Sequence, residues 1–224
     1  MDRIFLASSA LIILLSTNSL GQDFESAFAP CFHCEPIPAN DWGLIFQGTV
    51  SKKLKENFKG ELNVQSRIMD EFKTLKAVMI EPGIKLKITD HFAVKSAFRY
   101  SLLSSQFNSY RAHLAVYYIW HKEGVPLRIQ FRSRIEKEDY FYWRNRIKLA
   151  FNIRQILKPY SSFEVFNQSD NGGFLDLIRY EGGIKWEMLD SYNITLMYRL
   201  ETNVNWHYRS NKAQVIGLML NHSF

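Results

Sequence analysis

The chain has 224 residues, a formal net charge of +6 and a sequence pI near 9.2, with 15% aromatic residues. That length allows one large all-β domain or two small ones. A basic, aromatic-rich chain fits nucleic-acid binding, or a membrane barrel with aromatic rings at both interfaces; the N-terminus separates the two.

Residues 1–21 read as a secretory signal peptide. Arg3 precedes an apolar run from Ile4 to Leu15, and Ser19 and Gly21 supply small residues before a cut at Gln22. The run is shorter than the roughly 20 residues that a membrane-spanning helix needs. Export argues against a nucleic-acid partner. Residues 22–40 lack periodicity and hold three of the six prolines, so they read as an irregular N-terminal extension. This extension carries Cys31 and Cys34, a C-x-x-C pair. In an exported chain the pair is a candidate local disulfide. Redox chemistry lacks a βαβ context and zinc lacks further ligands, with only His33 adjacent. No cofactor and no metal site is expected.

From Asp41 to Phe224 the hydropathy alternates at period two, as side chains do along a strand. Trp42, Leu44, Phe46 and Val50 share a face, and Lys52–Asn57 make a polar turn. Leu62, Val64 and Ile68 follow. Val78, Ile80, Ile84, Leu86 and Ile88 form one long strand, where Pro82–Gly83 predicts a bulge. Phe92, Val94, Phe98 and Tyr100 come next. Then Leu114, Val116, Tyr118 and Trp120 lie opposite Arg111, His113 and Tyr117.

The stretch Leu127–Ile153 has the cleanest faces. Leu127, Ile129, Phe131 and Ile135 oppose Arg128, Gln130, Arg132 and Arg134. After a polar break at Glu136–Asp139, Trp143, Ile147, Leu149 and Phe151 oppose Arg144, Arg146 and Lys148. Phe163 and Val165 follow, then an Asn/Asp/Gly loop at 167–173. Three more strands are centred on Ile178–Trp186, Ile194–Leu200 and Ile216–Phe224.

About eleven strands are legible, many near the ten residues that cross a bilayer in a tilted barrel. Even strand numbers are the rule for single-chain bacterial barrels. The reading is therefore an all-β, antiparallel, up-and-down transmembrane barrel of about 10–12 strands over 41–224. Twelve is favoured over ten, the extra strand lying in 22–40. A soluble sandwich also alternates. It fits less well with long meandering strands, Arg/Lys-dense polar faces, and apolar faces ending in Trp42, Tyr100, Trp120, Trp143 and Tyr198.

The ending QVIGLMLNHSF resembles the C-terminal signature of outer-membrane proteins, whose terminal aromatic is read by the barrel-insertion machinery. His222 departs from that signature, since an aromatic or apolar residue is commoner there. More widely, DWGLIFQGTVSKKLKENFKGELNVQSR, the block LRIQFRSRIEKEDYFYWRNRIKLAFNI and the ending IGLMLNHSF are similar to the domain-of-unknown-function 2490 family. That resemblance implies a secreted outer-membrane barrel of a Gram-negative bacterium. It implies no activity and transfers no site.

With the apolar register on lipid, the other register faces inward. It collects Arg67, Lys85, Lys87, Lys95, Arg99, Arg111, Arg128, Arg132, Arg134, Arg144, Arg146, Lys148, Arg179, Lys185 and Arg199, against Glu61, Glu81, Glu164, Glu181 and Glu201. Unpaired charge in a dry interior costs several kcal/mol each. The lumen is thus expected to be hydrated or to bind anions, for which the arginine fork is suited. The expected function is a narrow anion-biased pore or anionic-ligand-binding barrel. The alternatives are a non-conducting structural barrel, a surface-binding barrel using loops such as NVNWHYRSN, and a lipid hydrolase built on His113 or on His222–Ser223. Ser169 and Asp170 have no nearby histidine, and no recognisable nucleophile motif is present, so no enzyme is expected.

Overall fold

A computed structural model describes residues 41–103, 108–137, 141–153, 156–168, 175–189, 191–204 and 212–224. The signal peptide, the extension with Cys31 and Cys34, Ser169–Asp170 and the Trp206–Arg209 loop tip lie outside the described residues.

Eleven strands follow one another: β1 Asp41–Lys55, β2 Phe58–Met69, β3 Thr74–Lys87, β4 Phe92–Leu103, β5 Ser109–His121, β6 Leu127–Lys137, β7 Phe141–Phe151, β8 Leu157–Gln168, β9 Leu175–Leu189, β10 Tyr192–Asn203 and β11 Lys212–Ser223. Each pairs with its sequence neighbours in antiparallel fashion. The ring closes through a parallel β1–β11 pair running from Asp41↔Ala213 to Ser51↔Ser223. No helix occurs among the described residues, and none is long and apolar enough to cross a membrane.

Eleven falls within the expected ten to twelve, while the preference for an even twelve is corrected. An odd number makes the first and last strands run the same way. Their unbroken hydrogen-bonded register leaves no edge for another strand. Asp41 and Phe224 therefore stand at opposite mouths. Connections at the mouth beside Phe224 span two to five residues and those at the other mouth three to eight.

Pro82–Gly83 makes no bulge. The β2–β3 register runs straight through Leu62↔Pro82 and Glu61↔Gly83. Pro82 has no N–H to donate, and the β3–β4 ladder simply steps from Ile80↔Tyr100 to Gly83↔Ala97. The shift lies instead at Arg67/Ile68, opposite Lys76, whose buried ammonium reaches Asp70 at 2.6 Å. The neighbouring β2–β3 turn places Asp70, Glu71 and Phe72 in succession at φ near 55°, 54° and 70°.

The two faces separate as period two requires. Ile84, Phe98, Leu114, Phe131, Ile135, Trp143, Leu196 and Tyr198 are exposed on the outside. They form an apolar band around the outside of the barrel. Aromatic rings flank it. Trp42 with Phe72, and Phe98 and Tyr100 with Tyr110, lie toward the mouth away from Phe224. Phe92, Tyr118 and Phe131 lie toward the other, as does His222, which stacks on Tyr192 at 4.0 Å with Phe224 edge-on at 4.1 Å. His222 thus takes the aromatic's place in the ending IGLMLNHSF.

Candidate functional site

The charged register lines the lumen. Arg67, Arg99, Arg132, Arg134, Arg144, Arg146, Lys148, Arg179 and Arg199 border one cavity of about 590 Å³. Arg111 is buried against Glu136 just beyond it. Arg128 sits lower, at the mouth beside Phe224, in a smaller space shared with Lys158, Lys185 and Glu187. Lys87 is corrected: it lies at the rim, exposed and paired with Asp90 of the following turn.

Across the middle of the barrel runs a continuous ion-paired belt. Glu136, fully buried, receives Arg111 at 2.9 Å and Arg144 at 2.6 Å, with an Arg134 Nη2 at 2.5 Å. Glu164 receives Arg132, Arg144 at 3.3 Å and Arg179 at 3.0 Å. Glu201 receives Arg67 at 2.8 Å and Arg179 at 2.9 Å. Arg199 bridges Glu181 and Glu201, at 2.7 and 3.5 Å. On the other side Glu81 holds Arg99 at 2.6 Å and Lys95 at 3.4 Å, with Lys95 also on Glu61. Glu81, Glu136, Glu164 and Glu201 each serve two or more cations, because β-register alternates charges on adjacent strands: Arg146↔Glu164↔Arg179↔Glu201 are consecutive partners across β7–β10.

Above the belt, toward the mouth away from Phe224, the inward side chains turn apolar. Tyr142, Phe166 and Leu177 are buried. Phe166 lies between two guanidinium groups, Arg144 at 4.1 Å and Arg179 at 4.6 Å, and Arg111 lies over Tyr142 at 5.1 Å. Such contacts let an arginine spend its flat face on a ring and its edge on a carboxylate.

Below the belt the pairing thins: Glu187 holds Lys158 at 2.5 Å and Lys185 at 2.7 Å, but other cations are left out. Arg146 has no carboxylate within ion-pairing distance among the described residues, and faces Arg132 directly across the β6–β7 ladder. Lys148 rests its ammonium 3.5 Å from the centre of the Tyr160 ring, and Lys85 lies 4.8 Å over Tyr117. Tyr160 is held by donating to Glu181 at 3.0 Å and by Gly183 beneath it. A Cβ on Gly183 would stand 2.9 Å from the ring and 2.5 Å from the Leu196 carbonyl oxygen. The Nε groups of Arg67, Arg132, Arg144 and Arg146 are buried and donate to no protein atom. Donors in that state call for water or a ligand's oxygens.

Sequence reasoning missed several lining groups. Glu136 was assigned to a polar break, yet it continues the Arg132, Arg134 step of two and sits at the centre of the belt. Lys59, Lys158 and Glu187 were overlooked because they flank turns, where alternation weakens. His113 points inward, 3.8 Å from Glu81. His222 instead engages Tyr192, Phe224 and the Ser191 carbonyl.

Together these features define a closed all-β barrel with an apolar exterior and an arginine-rich lumen. The chain belongs to the family described as "Protein of unknown function (DUF2490)", whose model matches residues 42–212. A search of curated proteins finds no match. Among solved structures it is similar to a NanC porin (11% identity, 72% of this chain and 87% of that chain, TM-score 0.49). It is also similar to a KdgM porin (13%, 82% and 98%, TM-score 0.48) and to the translocator domain of the autotransporter NalP from Neisseria meningitidis (12%, 78% and 77%, TM-score 0.45).

Proposed function

We propose that this protein is an outer-membrane barrel whose lumen accepts anionic solutes and conducts them as a narrow, anion-biased pore. The observation that carries the reading is the set Arg146, Lys148 and Lys85, which face the cavity without carboxylate partners. Fixed positive charge in a water-filled, low-dielectric tube concentrates anions and excludes cations. The exterior band and its two aromatic girdles support a membrane setting. Lipid on that band, and the insertion machinery acting on the strand that ends in Phe224, are the partners this reading implies.

The test is a planar-bilayer recording of the purified barrel under a potassium chloride gradient. A small conductance with a reversal potential of anionic sign is expected. A cation preference, or no conductance, overturns the pore. A second reading, a non-conducting barrel, is favoured by the buried layer of Tyr142, Phe166 and Leu177 over the ion-paired belt; silent bilayers with a correctly folded protein would select it. Activity on lipid has no comparable support, since His113 and His222 engage Glu81 and two aromatic rings respectively.

A further inference from the structure

The lumen has two unlike walls, and they face each other. The closing strands β11 and β1 present no lysine, arginine or carboxylate to the cavity; their contribution is Gln47, Thr49, Ser51, Asn221 and Ser223 with Met219 and His222. The flanking strands β2 and β10 add Asn63 and Asn193 beside their charged residues, and Asn221 donates to Asn193 at 2.8 Å. In a ring of eleven strands, the strand half-way round from the β1–β11 pair is β6, next to β7. β7 carries Arg146 and Lys148, two of the cations without a carboxylate partner; another, Lys85, lies on β3 over Tyr117.

From this arrangement we infer that the lumen holds a site for a hydroxyl-bearing organic acid, a sugar acid or sugar phosphate, with its acidic group on Arg146 and Lys148 and its hydroxyls on the β1–β11 wall. The inference rests on the anion-accepting reading above and narrows it. A simple inorganic anion needs only the cationic side. An amide both donates and accepts, as does a hydroxyl, so an amide and hydroxyl wall matches the edge of a sugar and not a bare anion. A barrel of this strand number is narrow enough that one small solute reaches both walls. Tyr160, fixed by Gly183 and Glu181, adds a flat apolar face beside Lys148 for the sugar ring.

The experiment is calorimetric titration of the full refolded barrel with glucuronate, glucose 6-phosphate, glucose, acetate and inorganic phosphate. Glucuronate or glucose 6-phosphate should bind at least about tenfold more tightly than acetate or inorganic phosphate respectively, as one or two added hydrogen bonds require. Arg146→Gln with Lys148→Gln should abolish that binding. Gln47→Ala with Thr49→Val should weaken the sugar acid about tenfold and leave acetate unchanged, with folding of each variant checked by gel mobility before and after heating. If the sugar acid and sugar phosphate bind no better than acetate and phosphate, the inference fails and the anion-accepting lumen stands. If no anion binds the wild-type barrel, both fail.

Discussion

Two levels of one lumen hold the same residue types and behave differently. In the belt, Arg111, Arg134, Arg144 and Arg179 converge on Glu136, Glu164 and Glu201 at salt-bridge distance. A few ångströms below, Arg146 and Lys148 continue the same strand with no carboxylate in reach. The difference lies in the partner strands: Glu164 and Glu181 on β8 and β9 are already committed to other cations. Paired charge holds the barrel shut, while unpaired charge is available to a solute. The contrast also shows why a basic excess alone says little about function.

Breaking the belt should have the largest effect. Glu136→Gln leaves three buried guanidinium groups without their shared carboxylate, and loss of one partner from a buried pair costs ~3–5 kcal/mol. The urea midpoint of the folded barrel, followed by the heat-sensitive gel shift, should fall sharply; an unchanged midpoint would mean the belt is well hydrated. Gly183→Val comes next. Its side chain meets the Leu196 backbone carbonyl and the Tyr160 ring, and overpacking of this kind costs ~1–3 kcal/mol. It should also release Tyr160 from Glu181.

Arg146→Gln sharpens the comparison from the other side. It removes an unpaired cation facing Arg132, so stability should hold or rise by up to ~1 kcal/mol, while the reversal potential in a salt gradient moves toward zero. A stability loss as large as that of Glu136→Gln would erase the distinction between the two levels. The smallest effect belongs to the β2–β3 turn. Glu71 sits at φ near 54°, exposed, and its backbone N–H donates to Asp41 Oδ1 at 3.2 Å. Asparagine tolerates that conformation better, so Glu71→Asn should raise the midpoint slightly, by less than ~1 kcal/mol.

Period-two alternation determined a good deal without coordinates. It marked Trp143 and Phe131 as outward and Arg132, Arg144 and Arg146 as inward, because a strand offers only two directions and each face meets one environment. The strand number, near eleven, was legible for the same reason. Closure was not. Whether β1 meets β11 in parallel or needs a twelfth strand depends on a pairing between residues some 170 positions apart, about which local pattern is silent. Nor could alternation show which arginines are satisfied: that is set by register between neighbouring strands, which brings Glu164 against Arg146 in the ladder yet gives its oxygens to Arg132, Arg144 and Arg179. The sequence alone determined the faces, since they follow from backbone geometry one residue at a time. Only the tertiary structure decided which charges are neutralised and which wall they confront, since both depend on the order and stagger of strands around a closed ring.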